Sequence, residues 1–257
     1  MTADLSFWNA PMIIAHRGSR TLWPENTMLA FREALALRAR YLETDLQATS
    51  DDVLVCHHDR SVVRTTDGVG DVADYTLERL SRLDAAYRHR VDGSFPFRGE
   101  DLRVPTLRQV LTEFPEVGFV VDLKSDDMEV LLVDLLDELD AFERVIVGSF
   151  SDRRLVRFRQ LAGPRALTSG GPREIVRWRF GGGASVPDPQ VLQVPVGRRG
   201  LTVVTPAFIR SAHSRGRQVH VWTINRPVEM RRLLDMGVDG LITDRPDLGM
   251  EVVGENG

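Results

Sequence analysis

The sequence predicts an α/β protein, a single (β/α)8 TIM barrel with a small insertion after an early strand, and three observations support this. The chain has 257 residues, close to the roughly 250 residues of a typical barrel of this kind. Short apolar segments alternate with longer segments of helical periodicity, which indicates parallel strands joined by crossover helices. Because seven or eight such units fit into this length, a closed barrel is favoured over the alternative, an open doubly wound sheet.

The predicted strands are short, mostly apolar segments. The first is MIIA at 12–15, and the second is YLETDLQA at 41–48, which carries two acidic residues. The remaining predicted strands, in chain order, are 53–57, 118–124, 145–150, 165–169, 191–196, 218–224 and 240–243.

The predicted helices lie between these strands and are identified by periodicity and by start and stop residues. The clearest has Asn225 as N-cap, Pro227 in its first turn and Gly237 after its last turn. We expect 180–190 to be a flexible loop and the tail after Asp247 to be frayed. The predicted helices are 26–39, 106–114, 128–142, 151–162, 206–216 and 227–237.

One segment, 60–105, breaks the alternation of strands and helices. It contains TTDGVGDV, an arginine-rich acidic stretch and DGSFPFRGEDLRVP, and it carries no clear periodicity. Insertions of this length are usually functional or disordered. We therefore predict one domain over 1–257, with 60–105 as a subdomain inserted within it.

The composition excludes several classes of protein. Hydrophobic residues make up 42%, the formal net charge is -4 and the pI is about 5.9, so no basic surface for nucleic acid is expected. Cys56 is the only cysteine, so no intrachain disulfide can form. The start of the chain lacks a signal-peptide pattern, and no apolar run approaches the roughly 20 residues of a membrane span. We expect a cytoplasmic protein without stable membrane association, and its oligomeric state stays open.

Unusual polar residues follow or end the predicted strands. In a barrel, the C-terminal ends of the strands form the face where active sites assemble. Side chains two residues apart on a strand share a face. The side chains of Glu43 and Asp45 are therefore expected on one face of their strand, and those of Asp122 and Lys124 on one face of theirs. The polar residues at strand ends are His16, Arg17, Glu43, Asp45, His58, Asp59, Asp122, Lys124, Trp222 and Asn225.

The carboxylates predict a metal site. Glu43, Asp45 and Asp122 would repel one another at a single rim unless protons or a cation intervene. A hard divalent cation prefers oxygen ligands and would act as a Lewis acid on a phosphoryl oxygen. The alternative is that Glu43 and Asp45 are solvated residues at a strand end.

Two histidines and two cations complete the candidate site. His16 and His58 suit a general base and a general acid, because an imidazole exists in both protonation states near neutral pH. Arg17 and Lys124 provide positive charge for a phosphodiester anion. Lys124 is the only lysine of the chain, although a salt bridge to Asp122 would also explain it. Trp222 either walls the pocket or packs in the barrel mouth.

These motifs resemble the glycerophosphodiester phosphodiesterase family. The resemblance is carried by HRGSRTLWPENT at 16–27, ETD at 43–45, TSDDVLVCHHD at 49–59, DLK at 122–124 and two segments near the end of the chain, VWTIN at 221–225 and GLITDRP at 240–246. It implies a (β/α)8 barrel with a small inserted subdomain. It also implies metal-dependent hydrolysis of glycerophosphodiesters, which are small-molecule substrates, to glycerol 3-phosphate and an alcohol.

The resemblance also implies a role for each residue. His16 would be the base and His58 the acid, and Arg17 would contact the phosphate with Lys124 beside it. The family usually has Glu-x-Lys where this chain has Asp122 and Lys124, a difference that bears on the choice of metal. The implied cofactor is one divalent ion, Mg²⁺ or Ca²⁺ and in third place Mn²⁺, held by Glu43, Asp45 and Asp122.

Three questions stay open from the sequence. The attacking group is either water or the glycerol hydroxyl of the substrate, which would first give a cyclic phosphate. One alternative function is a lysophospholipase D-like lipid phosphodiesterase, which a long apolar groove would favour. Another is a non-catalytic barrel that binds a phosphorylated metabolite.

Overall fold

A parallel β-sheet forms the centre of the protein. The computed structural model describes residues 5–181, 189–198 and 200–254. The strands are β1 Met12–His16, β2 Tyr41–Ala48, β3 Leu54–Cys56, β4 Gly118–Leu123, β5 Val145–Gly148, β6 Val191–Pro195, β7 Gly197–Arg198, β8 Leu201–Thr202, β9 Gln218–Trp222 and β10 Gly240–Thr243. Seven of them are parallel and follow one another in the order β5-β4-β2-β1-β10-β9-β6, and β3 pairs with β2.

A short extended segment closes this sheet into a ring. Thr168 forms a parallel bridge to Val147 of β5, and Ser169 forms one to Val191 of β6. The Ser169 amide donates to the carbonyl of Val147 at 2.9 Å. The two ends of the seven-stranded sheet are thus joined by an eighth parallel segment. The predicted (β/α)8 barrel is confirmed, and the doubly wound alternative is excluded.

Apolar residues fill the lower interior of the barrel. Ile14, Val120 and Ile146 belong to one buried cluster, together with Trp8. Trp8 stacks on Tyr41 with ring centroids 5.1 Å apart. This packing fills the inside of the barrel below the C-terminal ends of the strands, the end at which the active sites of such barrels lie.

The helices pack around the sheet, and most of them match the predicted segments. Thr27, Thr106 and Thr205 each cap a helix by accepting a hydrogen bond from a backbone amide. No helix in the described ranges is both long and apolar enough to cross a membrane. The helices are α1 Met28–Ala36, α2 Leu77–Leu80, α3 Leu107–Glu113, α4 Glu129–Glu138, α5 Asp152–Ala162, α6 Pro172–Gly181, α7 Pro206–His213, α8 Pro227–Asp235 and α9 Pro246–Gly254.

Three local predictions were wrong. The N-cap of α8 is Arg226, not Asn225, because the Asn225 side chain instead bonds to Thr243 and Asp244. The described part of the tail after Asp247, residues 248–254, is not frayed but belongs to α9, whose Val252 is buried. Helix α6 was not predicted at all. The predicted loop at 180–190 falls largely on residues 182–188, outside the described residues.

Strand β3 also differs from its predicted role. It runs antiparallel to β2 and pairs Cys56 with Leu46, so it is a hairpin arm and not a strand of the barrel. The segment that follows contains two 3-10 turns, Val62–Arg64 and Val72–Asp74, and helix α2. It has a small apolar cluster of its own around Val62. Its description as an inserted subdomain over 60–105 stays a prediction.

Candidate active site

One cavity of about 870 Å³ opens at the C-terminal rim of the barrel. The strand ends of β1, β2, β4, β5, β6 and β9 all contribute residues to its wall. The structure therefore brings together all eight residues predicted for the site. They are His16, Arg17, Glu43, Asp45, His58, Asp122, Lys124 and Trp222.

Lys124 lies between two carboxylates of neighbouring strands. Asp45 of β2 and Asp122 of β4 are partners in the parallel register. The Nζ atom of Lys124 is 2.8 Å from Oδ1 of Asp45 and 2.5 Å from Oδ2 of Asp122. Burial lowers the pKa of Lys124, but these two carboxylates outweigh it and the net pKa is raised. Lys124 therefore stays charged at neutral pH, and its predicted salt bridge to Asp122 exists.

The negative charge at this rim is only partly compensated. Burial, and then the charge of Asp45, raise the pKa of Glu43 to about 7. Burial also raises the pKa of Asp122, although Lys124 opposes this. Burial would raise the pKa of Asp45 as well, but Lys124 and Arg17 outweigh it and the net pKa is lowered. Two of the three carboxylates thus resist ionisation in the protein as it stands.

The three carboxylates fit a hard divalent cation in chemistry. Their donors are all oxygen atoms, which Mg²⁺, Ca²⁺ and Mn²⁺ prefer. Oδ1 of Asp122 is buried and has no hydrogen-bond partner. The raised pKa values of Glu43 and Asp122 indicate that burial disfavours their ionised forms, which a bound cation would stabilise. Among the described residues, no three His, Cys, Asp or Glu side chains already stand as a metal-binding group, and Lys124 holds the place between Asp45 and Asp122.

His16 is held by an aspartate that the sequence analysis missed. Its Nδ1 atom is 2.7 Å from Oδ1 of Asp244, and its Nε2 atom is 3.8 Å from Oε2 of Glu43. Burial lowers the pKa of His16, but the charge of Glu43 and the bond to Asp244 outweigh it and the net pKa is raised. Asp244 is itself held by Asn225 at 3.0 Å and contacts Arg20 at 3.2 Å. One ring nitrogen of His16 is therefore fixed and the other faces the cavity.

His58 has a carboxylate partner too. Its Nδ1 atom is 2.5 Å from Oδ1 of Asp59, and Arg64 donates to the other oxygen of Asp59. The pKa of Asp59 is about 2, because Arg64 and His58 outweigh the effect of burial. The neighbouring His57 does not line the cavity. Its ring bonds to the Asp59 carbonyl and to Thr65.

The hairpin of β2 and β3 explains how His58 reaches the rim. The prediction located His58 at the C-terminal end of a barrel strand, and that reason was wrong because β3 runs back toward the barrel. The backbone amide of His57 donates to the carbonyl of Asp45 at 2.9 Å. This bond returns the chain to the level of the carboxylates, and His58 lines the same cavity as His16.

A left-handed turn after β1 directs Arg17 into the site. The φ angles of Arg17, Gly18 and Ser19 are 54°, 74° and 88°. A Cβ atom on Gly18 would lie 2.8 Å from backbone and side-chain atoms of Ala30, so this position requires glycine. The Oγ atom of Ser19 donates to the carbonyl of Asp244 at 2.6 Å, which holds the strained turn against β10.

The Arg17 guanidinium is buried among carboxylates. Its Nε atom is 2.9 Å from Oδ2 of Asp45, and its Nη1 atom donates to Oε1 of Glu25 at 2.9 Å. Glu25 in turn bonds to Arg64 at 2.7 and 2.8 Å. A chain of ion pairs therefore runs from Asp45 through Arg17, Glu25 and Arg64 to the partner of His58.

Trp222 lies in the wall of the cavity, the first of the two positions considered for it. Its ring packs against Phe150 in an edge-to-face arrangement with centroids 5.7 Å apart. Further apolar side chains continue this wall on α6 and β8. The cavity therefore has a charged side on β1, β2 and β4 and an apolar side that begins at Phe150, beside Lys124.

The residues that the sequence analysis missed differ in how visible they were. Asp244 directly follows β10, so the rule applied to the other strand ends would have found it. Glu25 lies in the turn before α1, and Arg64 ends a 3-10 turn after β3, 39 residues further along the chain. Only the folded chain shows that they meet.

Known proteins resemble this chain along most of its length. The sequence model of the glycerophosphoryl diester phosphodiesterase family matches residues 16–248. A probable glycerophosphodiester phosphodiesterase 2 of Mycobacterium tuberculosis is 36% identical over 249 residues, which cover 93% of this chain and 89% of that protein. A glycerophosphodiester phosphodiesterase of Caldanaerobacter subterraneus is 31% identical over 255 residues, which cover 96% and 99%.

Solved structures share the fold. A glycerophosphodiester phosphodiesterase from Agrobacterium tumefaciens superposes with a TM-score of 0.80 at 25% identity, covering 93% of this chain and 99% of that one. An Oleispira antarctica phosphodiesterase, solved in complex with the product sn-glycerol-3-phosphate, has a TM-score of 0.76 at 21% identity and covers 95% and 97%.

Proposed function

Because the chain belongs to the glycerophosphoryl diester phosphodiesterase family, as its motifs predicted, we propose that it hydrolyses glycerophosphodiesters with the help of a divalent cation. The products are sn-glycerol 3-phosphate and an alcohol. The observation that carries the proposal is one cavity lined by two histidines, each bonded through Nδ1 to its own aspartate, together with Arg17 and Lys124.

The two histidines supply acid–base catalysis. Asp244 and Asp59 each hold an Nδ1 atom, which fixes the ring and leaves Nε2 for the substrate. His16 removes the proton from the attacking oxygen, which belongs to water or to the glycerol hydroxyl. His58 donates a proton to the leaving alkoxide. In this class of catalysis each group contributes about 10²–10⁴-fold to the rate.

Arg17 and Lys124 bind the phosphodiester. Both side chains line the cavity and carry positive charge within 3 Å of carboxylates. When the anion enters, the two cations share their contacts between it and Asp45. Their positive charge offsets the negative charge that develops on the phosphoryl oxygens.

Glu43, Asp45 and Asp122 are the residues that would hold the cation, which is Mg²⁺ or Ca²⁺ or else Mn²⁺. Bound there, it would act as a Lewis acid for the phosphoryl group. Support comes from the unpartnered Oδ1 of Asp122 and from the raised pKa of Glu43 and of Asp122. Asp122 is one methylene shorter than the glutamate usual in the family.

The relatives support a substrate class for this proposal. The Oleispira antarctica phosphodiesterase was solved with sn-glycerol-3-phosphate as product, and hydrolysis of any glycerophosphodiester on the side of the alcohol releases this compound. Small soluble diesters such as glycerophosphocholine and glycerophosphoethanolamine are therefore the first substrates to test.

The test is release of glycerol 3-phosphate from a panel of glycerophosphodiesters, with each divalent ion and with chelator. We expect turnover that depends on the ion and falls about 10²–10⁴-fold in His16→Ala and in His58→Ala. Folded variants that keep near-native turnover would remove the acid–base mechanism. Binding of the diesters without turnover under every ion would favour the non-catalytic binding barrel instead.

A further inference from the structure

The apolar side of the cavity has more exposed hydrophobic surface than a small polar substrate requires. Four large apolar side chains there are between 43% and 65% exposed. We refer to them as the apolar groove. They are Phe150 after β5, Val176 and Phe180 on α6, and Leu201 on β8.

Such clustering differs from the ordinary scatter of surface hydrophobic residues. Single exposed apolar side chains are common in soluble proteins, whereas a contiguous patch inside a concave site marks a place where a ligand binds. The less exposed Ile175 and Val203 line the same cavity and extend the apolar surface between α6 and β8. The groove is thus built from three separate parts of the chain that line one cavity.

The groove begins directly beside the charged groups. The Lys124 Nζ atom is 5.9 Å from the centroid of the Phe150 ring, and the same ring packs edge-to-face against Trp222. A ligand that fills both sides must therefore have an anionic phosphate at one end and a hydrocarbon part close to it. A deacylated glycerophosphodiester meets only the first requirement.

We propose that the apolar groove binds the single hydrocarbon chain of a monoacylated glycerophosphodiester, so that lysophospholipids are a substrate class of this enzyme. A cavity of about 870 Å³ lies within the usual range for one drug-sized ligand, which suits one chain with its head group and not two chains. The inference rests on the proposed function and makes its substrate class specific.

The reaction is the same hydrolysis on a longer substrate. Overall, the oxygen of water forms a bond to phosphorus, and the bond between phosphorus and the oxygen of the head-group alcohol breaks. One proton of water ends on that alcohol, and the phosphate stays on the monoacylglycerol. The acyl ester does not react, so the products are a monoacylglycerol phosphate and the free alcohol.

A chain-length series tests the groove. We would measure kcat/KM for glycerophosphocholine and for its hexanoyl, octanoyl, decanoyl and dodecanoyl esters, all below their aggregation concentrations. We expect kcat/KM to rise by up to about fourfold for each methylene that enters the groove. If kcat/KM stayed constant or fell with chain length while glycerophosphocholine was still hydrolysed, the proposed binding of an acyl chain in the groove would be wrong. The proposed function would then be unaffected.

Binding provides a readout that does not depend on turnover. Calorimetric titration of the same esters into the His58→Ala protein should give a Kd that falls with chain length. If glycerophosphocholine is not hydrolysed, the proposed function is wrong, and this titration still shows whether the groove binds the acyl chain. A Kd independent of chain length would contradict it.

Matched variants locate the effect. Leu201→Ser changes a groove residue that is 43% exposed, and Leu161→Ser changes a residue of α5 that is 44% exposed and does not line the cavity. We expect Leu201→Ser and Val176→Ser each to lower kcat/KM for the dodecanoyl ester about tenfold, with glycerophosphocholine turnover within twofold of wild type. Leu161→Ser should behave as wild type. Equal effects of Leu201→Ser and Leu161→Ser would overturn the assignment.

The source of the lipid is distinguished by how it is presented. The dodecanoyl ester would be supplied as a monomer in one arm and within phosphatidylcholine vesicles in another. We expect turnover of the monomeric ester, and its decrease in Leu201→Ser. Turnover that occurs only on vesicles would overturn it in favour of a groove that docks on a bilayer surface.

Discussion

Asp45 and Asp122 lie opposite each other on β2 and β4, and both contact the Nζ atom of Lys124, at 2.8 and 2.5 Å. The parallel register of the two strands brings these carboxylates from distant parts of the chain to one rim. Repulsion between two such groups is costly in a buried setting. The only lysine of the chain offsets part of that cost, and we propose that a bound cation offsets the rest.

Asp122 tests that assignment. We expect Asp122→Asn to lower turnover at least about tenfold and to abolish the rise in Tm that Mg²⁺ or Ca²⁺ gives the wild type. Asp122→Glu, which restores the usual family residue, should retain both. Asp126→Asn serves as control, because Asp126 pairs with Arg153 and Arg154 outside the cavity. An Asp122→Asn protein with the full Tm rise would contradict a role for this carboxylate in metal binding.

Asp244 is expected to act as a positioning residue through His16. Asp244→Asn removes the carboxylate that holds Nδ1 at 2.7 Å, so the imidazole loses its orientation and its favoured tautomer. We expect kcat to fall about 10²–10⁴-fold while KM stays within about threefold. Asp247→Asn, which changes the neighbouring half-buried pair with Arg245 outside the cavity, should leave kcat unchanged. If Asp244→Asn raised KM alone, the residue would serve substrate binding and not catalysis.

Arg64 connects the segment after β3 to catalysis. It bonds to Asp59, the partner of His58, and to Glu25, the partner of Arg17. We expect Arg64→Gln to lower kcat about tenfold, less than His58→Ala, because Asp59 remains but is no longer held. Arg60→Gln is the matched control, since Arg60 pairs only with Asp71 among the ion pairs of the described chain. Equal kcat for the two variants would show that the ion-pair chain has no catalytic role.

His220 makes the folded state sensitive to acid. It lies fully buried in the barrel near Trp8, and burial lowers its pKa from 6.5 to about 3. Between these values the unfolded chain binds a proton that the folded protein does not, so the free energy of unfolding decreases as pH falls. The slope contributed by this group is up to about 1.4 kcal/mol per pH unit.

Denaturant unfolding between pH 7 and 4 checks this. His220→Gln should lose less stability on acidification than the wild type does, whatever its stability at pH 7. Parallel pH profiles for wild type and His220→Gln would contradict the assignment.

Much of the barrel was predictable because its strands have clear local patterns. The predicted second strand coincides with Tyr41–Ala48, and the i, i+2 rule correctly located Glu43 and Asp45 on one face. Strand ends of a parallel barrel meet at one rim, so seven of the eight site residues could be assigned to one cavity from their strands alone, whereas His58 reaches it through the hairpin of β2 and β3.

The parts that were not predictable depend on contacts between distant segments. Helix α6 has several arginines and exposed apolar residues, so its pattern does not indicate a helix packed by a single apolar face. Asn225 has the residue type of an N-cap, yet Asp244 and Thr243 compete for its side chain. The bonds of Arg64 and Glu25 join segments that no local pattern connects.

The most direct test of the central claim is to measure turnover of glycerophosphocholine against the number of divalent ions bound per chain, determined by elemental analysis after chelation and stepwise reloading. We expect activity to rise in proportion to occupancy up to one ion per chain. We also expect the Asp122→Asn protein to bind less of the divalent ion than the wild type at each free-ion concentration. Full activity in chelated protein without bound ion would contradict it.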